Sequence, residues 1–379
     1  MRYVLVLTLL LALLSCGKTQ SVAQGRRFNF TDTLQLDASN GQFAQLFVPD
    51  YFHSEGGSYD LVFHLHSATW AAENELYKAK ANAVLFNIHL GAFSGSYQTY
   101  FSEKARFREI LQKIDRSLKT HAIVPDSASL RFLIVTSFSA GYAGLREILK
   151  TDAYFQEIRA IHLADGLHAS DNSDLMKIQM SDFVRFARLA VKKEKIFRLT
   201  HSSIATSGYQ STTQTADYLL EQLGLTRRSV SIHDEIGSMY SRCDSGFFHL
   251  RGYWGDTAED HLKHLYAMHS MLKATWHQLS DFTGMQASSL SGSTSLRLAN
   301  FPNPFNEQTR IRFYLPRPAQ VKLTIFNVLG EKLVTLLNAH QEKGWHSVTW
   351  DAAQWPSGKY FYLLMTKREC LQGAMLFLK

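Results

Sequence analysis

Residues 130–149 read LRFLIVTSFSAGYAGLREIL, and the rest of the chain is organised around them. Residues 130–135 form a short apolar run with a branched centre, the pattern of a strand buried on both faces. Residues 143–149 carry apolar side chains at helical spacing. Between the two lie Ser137, Phe138, Ser139, Ala140 and Gly141. A strand that turns sharply into a helix holds the central side chain of the turn above the sheet in a strained conformation. Small residues are needed two positions before and two after it, because the strand and helix backbones nearly touch there. Gly141 meets that need, and Ser137 stands where glycine is usual. Ser139 is therefore the candidate nucleophile. A Ser-x-Ser-x-Gly string also fits an ordinary serine-rich turn. The reading requires oxyanion donors ahead of Ser139, then an acid and a histidine after it.

The flanking chain alternates between strand and helix. Strand-like pieces at 33–36 and 45–48, separated by turn residues, predict a hairpin that opens a sheet. A strand at 59–65 runs into His66, Ser67 and Ala68; a helix follows at 73–81 and a strand at 83–89. Residues 90–97 read as a small-residue loop rich in hydroxyls, and 102–118 as a helix. Beyond the Ser139 turn, a strand at 158–164 is followed at once by Asp165 and Gly166. A helix at 181–193 precedes a strand at 195–199 that leads to Thr200, His201, Ser202 and Ser203. Residues 211–223 read as a helix, 247–253 as the last strand and 262–279 as a helix after His261; the rest of the insert between Ser203 and Phe247 has no legible fold. Such alternation predicts an α/β fold with a mostly parallel sheet and helices on both faces. Ligands bind such sheets beyond the carboxyl ends of the strands. His66, Ser67, loop 90–97, Ser139, Asp165, residues 200–203 and His261 all fall at those ends.

The order of oxyanion loop, Ser139, Asp165 and His261 resembles that of the α/β-hydrolase superfamily, over roughly residues 28–280. The resemblance implies acyl transfer: Ser139 attacks a carbonyl, His261 takes its proton and Asp165 orients His261. It implies an oxyanion hole made by the N–H of Ala140 and one from Ser67 or Ala68, and it implies no cofactor. Serine replaces the usual glycine at 137 and 67. The acid usually follows the next-to-last strand, but after residues 200–203 no carboxylate comes before Asp217; Asp165, directly after a buried strand one strand earlier, is a position some members of the superfamily use. The plain alternative for Asp165 is turn formation in Asp-Gly. His264 and His249 are the alternatives to His261. His66, Tyr97, Thr200, His201 and Ser202 are candidate substrate contacts on the same rim, or loop residues that satisfy local backbone groups. His64 and His66 share one face of a strand, as in some metallohydrolases. No third ligand with a carboxylate follows at zinc spacing, and no metal is expected.

Residues 296–379 change character to period-two alternation with turn signals near 302–306, 327–330, 343–344 and 356–358, which predicts an antiparallel Ig-like sandwich of about seven strands. This segment resembles the type A sorting domain of type IX secretion cargo. The carrying residues are FPNPFN at 301–306, FNVLG at 326–330, VTWD at 348–351 and PSGKY at 356–360. The resemblance implies the type IX machinery as a partner, and release from the cell or attachment at its outer surface. Residues 286–295 read as a serine-rich linker between a hydrolase domain at 24–285 and this tail.

At the other end, residues 1–23 read as an export signal with an apolar core too short to span a bilayer. A lipobox-like Leu-Leu-Ser-Cys would lipidate Cys16, and a small-x-small site at Ser21 to Ala23 would instead release a chain starting at Gln24. Cys243 and Cys370, the other two cysteines, fall in different domains and are not expected to pair. The net charge of +7 is scattered over 379 residues with no basic run, so nucleic acid is excluded as a partner. The function expected is a secreted esterase acting on a small-molecule or glycan ester. A peptidase or amidase, or a silent surface protein that binds a glycan or protein, is the alternative.

Overall fold

The computed structural model describes residues 22–55, 57–279, 296–301, 303 and 305–378. The export signal through residue 21, Cys16, the 286–295 linker, Pro302 and Pro304 lie outside the described residues. The chain divides into two compact units, Met1–His277 and Gln278–Lys379.

The first unit is built on one ten-stranded sheet. Its strands are β1 (Gly25–Asn29), β2 (Phe43–Pro49), β3 (Ser58–Leu65), β4 (Val84–His89), β5 (Ser129–Phe138), β6 (Ile158–Ala164), β7 (Ile196–His201), β8 (Arg228–His233), β9 (Ser238–Ser245) and β10 (Phe248–Tyr253). They lie in the order β1-β2-β4-β3-β5-β6-β7-β10-β9-β8. The six strands from β4 to β10 in that order are parallel, and antiparallel pairs extend both edges. Every residue of β4 is buried, as a strand covered on both faces requires.

The chain leaves β3 toward β4 and then crosses back over β3 to β5. Right-handed crossovers in opposite directions put helices on opposite faces, and the reversal makes the carboxyl ends of β3 and β5 a switch point where ligands bind. The connecting helices are α1 (Thr69–Ala79), α2 (Ser94–Ser102), α3 (Arg106–Thr120), α4 (Tyr142–Leu149), α5 (Asp152–Glu157), α6 (Ser173–Val191), α7 (Thr212–Leu223) and α8 (Ala258–Tyr266). Helix α3 buries Phe107, Ile110, Leu111, Ile114 and Leu118, one stripe at helical spacing. Ser211 caps α7 reciprocally with Gln214, and Gly224 ends it in the left-handed conformation.

Several expected boundaries move. Residues 33–36 are not a strand but part of a turn and loop; the hairpin is made by β1, which pairs with β2 across Phe28 and Leu46. The loop expected over 90–97 is shorter, because Ser94 opens α2. The helix expected over 262–279 breaks at Ala267 and resumes at 268–279. The insert after Ser203 supplies α7 and the β8–β9 hairpin, which widens the sheet.

The second unit holds two antiparallel sheets. One has β11 (Arg297–Phe301), β12 (Gln308–Leu315) and β15 (Gly344–Asp351). The other has β13 (Ala319–Phe326), β14 (Lys332–Gln341), β16 (Gly358–Met365) and β17 (Cys370–Phe377). Ile311, Phe313 and Trp350 of the first sheet share a core with Val321, Leu323 and Ile325 of the second. Among the described residues no helix is long and apolar enough to cross a membrane.

Candidate active site

Strand β5 ends at Phe138, and Ser139–Gly141 form one tight turn before α4 begins. Ser139 has φ +46°, a left-handed conformation that costs a non-glycine residue of order 1 kcal/mol and is held only where the surroundings enforce it. The enforcement is steric. A Cβ on Gly141 would stand 2.4 Å from the Leu65 carbonyl oxygen, and one on Gly166 would stand 2.5 Å from the Ser139 nitrogen. Both glycines let neighbouring backbones close around the turn. Ser137, in the place usual for glycine, is fully buried and its hydroxyl has no hydrogen-bond partner among the described residues.

Asp165 is the first residue past β6. It also adopts a positive φ, +43°, and its N–H donates to the Thr200 carbonyl of β7 at 2.8 Å. This bends the carboxylate toward β7. One oxygen accepts the Ser202 N–H and the Thr212 hydroxyl, each at 2.8 Å. The other lies 2.7 Å from His261 Nδ1. Asp165 is 2% exposed, and burial alone would push its carboxyl up. The positive fields of His264 and His261, with the His261 and Ser202 hydrogen bonds, outweigh burial and hold it well below the usual carboxylate range.

Helix α8 positions His261. Thr257 caps the helix reciprocally with Asp260, which places His261 in the first turn. Its ring packs on Phe138, with centroids 4.5 Å apart. Ser139, Ala140, Asp165, Ser202 and His261 line one open cleft of about 590 Å³. The two other candidate bases are engaged elsewhere. His264 Nδ1 meets the Thr200 hydroxyl at 2.9 Å, and burial lowers its pKa to about 4. His249 pairs with Asp244 at 2.7 Å.

Four expected rim residues do not line this cleft. Tyr97 is fully buried; its hydroxyl accepts the Leu90 N–H and lies 2.9 Å from His66 Nδ1. His66 is buried beneath it, stacked between His89 and Phe138. Thr200 and His201 belong to β7 itself. Arg227 donates to His201 Nε2 at 2.8 Å. The sequence pattern starts the loop at Thr200, but the ladder with β10 continues through His201. Ser67 and Ala68, the expected second oxyanion donors, line a neighbouring cavity of about 60 Å³ with His66 and Phe138. His64 meets the Thr136 hydroxyl at 2.8 Å.

Thr212, His168 and Arg146 are among the cleft residues that the sequence reading does not single out. Thr212 supports Asp165 and carries no signal beyond its place at a helix start. His168 binds the Gln210 carbonyl at 3.0 Å. Arg146 lies on α4 within a stretch that reads simply as helix. All three line the cleft.

The strand order, the switch point and the Ser139 turn define an α/β-hydrolase-like unit. The tail is the second part of the assignment: residues 299–373 match the family of secretion system C-terminal sorting domains. The protein is thus exported, either released or held at the cell surface. No curated protein matches the chain in sequence. Among solved structures, Est1E from Butyrivibrio proteoclasticus is 13% identical, with a TM-score of 0.35 over 68% of this chain and 100% of its own. LpqC, a poly(3-hydroxybutyrate) depolymerase from Bordetella parapertussis, is 9% identical, with a TM-score of 0.37 over 67% and 90%. The siderophore hydrolase EstA from Aspergillus nidulans is 11% identical, with a TM-score of 0.37 over 69% and 97%.

Proposed function

We propose that the protein is an exported serine ester hydrolase, with Ser139 as nucleophile, His261 as general base and Asp165 as the orienting acid. The 2.7 Å contact between Asp165 and His261 Nδ1, in the cleft that Ser139 also lines, carries this reading. Held by its Nδ1–H, His261 keeps Nε2 as the nitrogen that takes the Ser139 proton. Ser139 Oγ then attacks the ester carbonyl, and the N–H of Ala140, the residue after the nucleophile, donates to the oxyanion. One such donor is worth about 3 kcal/mol of barrier. His261 returns the proton to the leaving alcohol. Water, deprotonated by the same nitrogen, then releases the acid. No cofactor takes part. The tail at 296–379 would engage the type IX machinery and carry the enzyme to an extracellular ester.

Labelling with a fluorescent fluorophosphonate tests the reading. Wild type should label and Ser139→Ala should not. A well-folded wild type that stays unlabelled would refute the enzyme and leave a protein that binds a glycan or protein with this fold.

A further inference from the structure

Arg146 lies two turns into the segment that starts with Ser139. Long helical side chains point back toward the helix N-terminus. Arg146 does so, with its guanidinium carbon 5.4 Å from the ring centroid of Tyr142, four residues earlier. That direction brings the cation toward the Ser139 turn, and Arg146 lines the same cleft as Ser139 and His261. The residue is only 6% exposed.

Its partners are all neutral. Gln98 Oε1 accepts from Nη2 at 3.4 Å, a weak bond at that length. The adjacent carboxylate, Glu147, is turned to Lys150 at 2.7 Å. Among the described residues no carboxylate forms an ion pair with Arg146. A guanidinium carries five N–H donors in a planar fork, and the partners it meets here, Gln98 and the Tyr142 hydroxyl, supply no negative charge. A buried cation without a counter-ion is costly. That cost falls if a ligand brings the anion.

We infer that Arg146 is a specificity determinant that binds a carboxylate on the substrate, so that the enzyme prefers esters carrying a second, ionised acid group. The inference rests on the ester-hydrolase reading for its reaction and on Arg146 alone for the anion. A planar carboxylate matches the fork with two parallel hydrogen bonds. Phe93, 62% exposed, and Tyr209, 43% exposed, line the same cleft and offer apolar contact to the hydrocarbon between the two acyl groups.

Two matched pairs of esters test this. p-Nitrophenyl hydrogen glutarate against p-nitrophenyl pentanoate places the charge on the acyl side. 4-Carboxyphenyl butanoate against phenyl butanoate places it on the alcohol side. Wild type should favour the charged member of at least one pair in kcat/KM by about tenfold or more, as hydrogen bonds to a charged group imply. That ratio should fall close to one in Arg146→Gln, while Arg146→Lys, which keeps the charge without the fork, should retain part of it. In parallel, monoethyl glutarate binding to the Ser139→Ala protein is measured by calorimetry, with and without Arg146→Gln. Binding that needs Arg146 supports the anion site even if no ester is turned over, which separates this inference from the catalytic one. A wild type without charge preference, or a preference that survives in a folded Arg146→Gln protein, would overturn it.

Discussion

Replacing Asp165 with Asn keeps the size of the side chain and removes its charge. The surroundings decide how the new amide sits. Ser202 N–H points at one carboxylate oxygen from 2.8 Å. A backbone N–H cannot accept, so the amide oxygen has to stay there. The NH₂ is then directed at His261 Nδ1, where the carboxylate oxygen stood at 2.7 Å. His261 Nδ1 must become an acceptor, which moves the ring proton to Nε2. In that tautomer Nε2 has no lone pair for the Ser139 proton. The same tautomer inversion in a serine-protease triad lowers kcat by about 10⁴-fold, or about 5.4 kcal/mol of barrier. We expect Asp165→Asn to lose hydrolysis and fluorophosphonate labelling by that order while its circular dichroism stays that of wild type. Steady-state kinetics on a p-nitrophenyl ester measures the loss. A folded Asp165→Asn protein within tenfold of wild type would show that Asp165 only shapes the turn before Gly166.

Two further predictions concern stability. Burial lowers the pKa of His89, His201 and His264 to about 4 each, against about 6.5 in the unfolded chain. Below 6.5 the unfolded state binds more protons, so each histidine contributes stability that is fully present above that value and lost as pH falls toward 4. At 1.36 kcal/mol per pH unit the loss approaches about 3 kcal/mol for each. The melting temperature should therefore fall steeply between pH 6.5 and 4, and a flat profile over that range would contradict the buried neutral assignment. Ser137→Ala removes a buried hydroxyl that has no partner among the described residues. It should raise stability by about 1 kcal/mol and the melting temperature by about 2–4 °C; a lower melting temperature in calorimetry would mean that the hydroxyl is bonded.

The sequence was most legible where one physical constraint dominates. Residues 158–164 are apolar at all but Arg159 and His162, and form β6 over that same span. The Ser139 turn was readable because its neighbours have to be small, and Gly141 and Gly166 show the crowding that demands it. Legibility failed where tertiary contacts override local pattern. Residues 33–36 have strand-like composition, yet the pairing partner of β2 is β1, which precedes them and whose arginines do not read as a strand. Tyr97 and His66 look like rim residues in the sequence. The hydroxyl of one and the ring nitrogen of the other face each other in the core. Arg146 was invisible because arginine in a helix ordinarily faces water, and only packing reveals that this one does not.

The proposed acid, Asp165, stands one strand from the usual position, and the geometry explains how it reaches His261. The next-to-last parallel strand, β7, ends in Thr200 and His201, whose polar side chains are taken by His264 and Arg227. No carboxylate is available there, but the backbone is. Asp165 leaves β6 with a positive φ, ties its own N–H to β7 through the Thr200 carbonyl, and receives the Ser202 N–H in return. The carboxylate thus comes from one strand and its hydrogen-bond support from the next. Two neutral donors, Ser202 N–H and the Thr212 hydroxyl, fix one oxygen, so the other can meet only His261. Removing Thr212 would therefore loosen the carboxylate without removing it, whereas the Ser202 N–H is a backbone group just past β7 and no substitution deletes it short of proline. This division explains how a carboxylate one strand away from the usual position reaches the same histidine. It also explains why a search for an acid directly after β7 finds none.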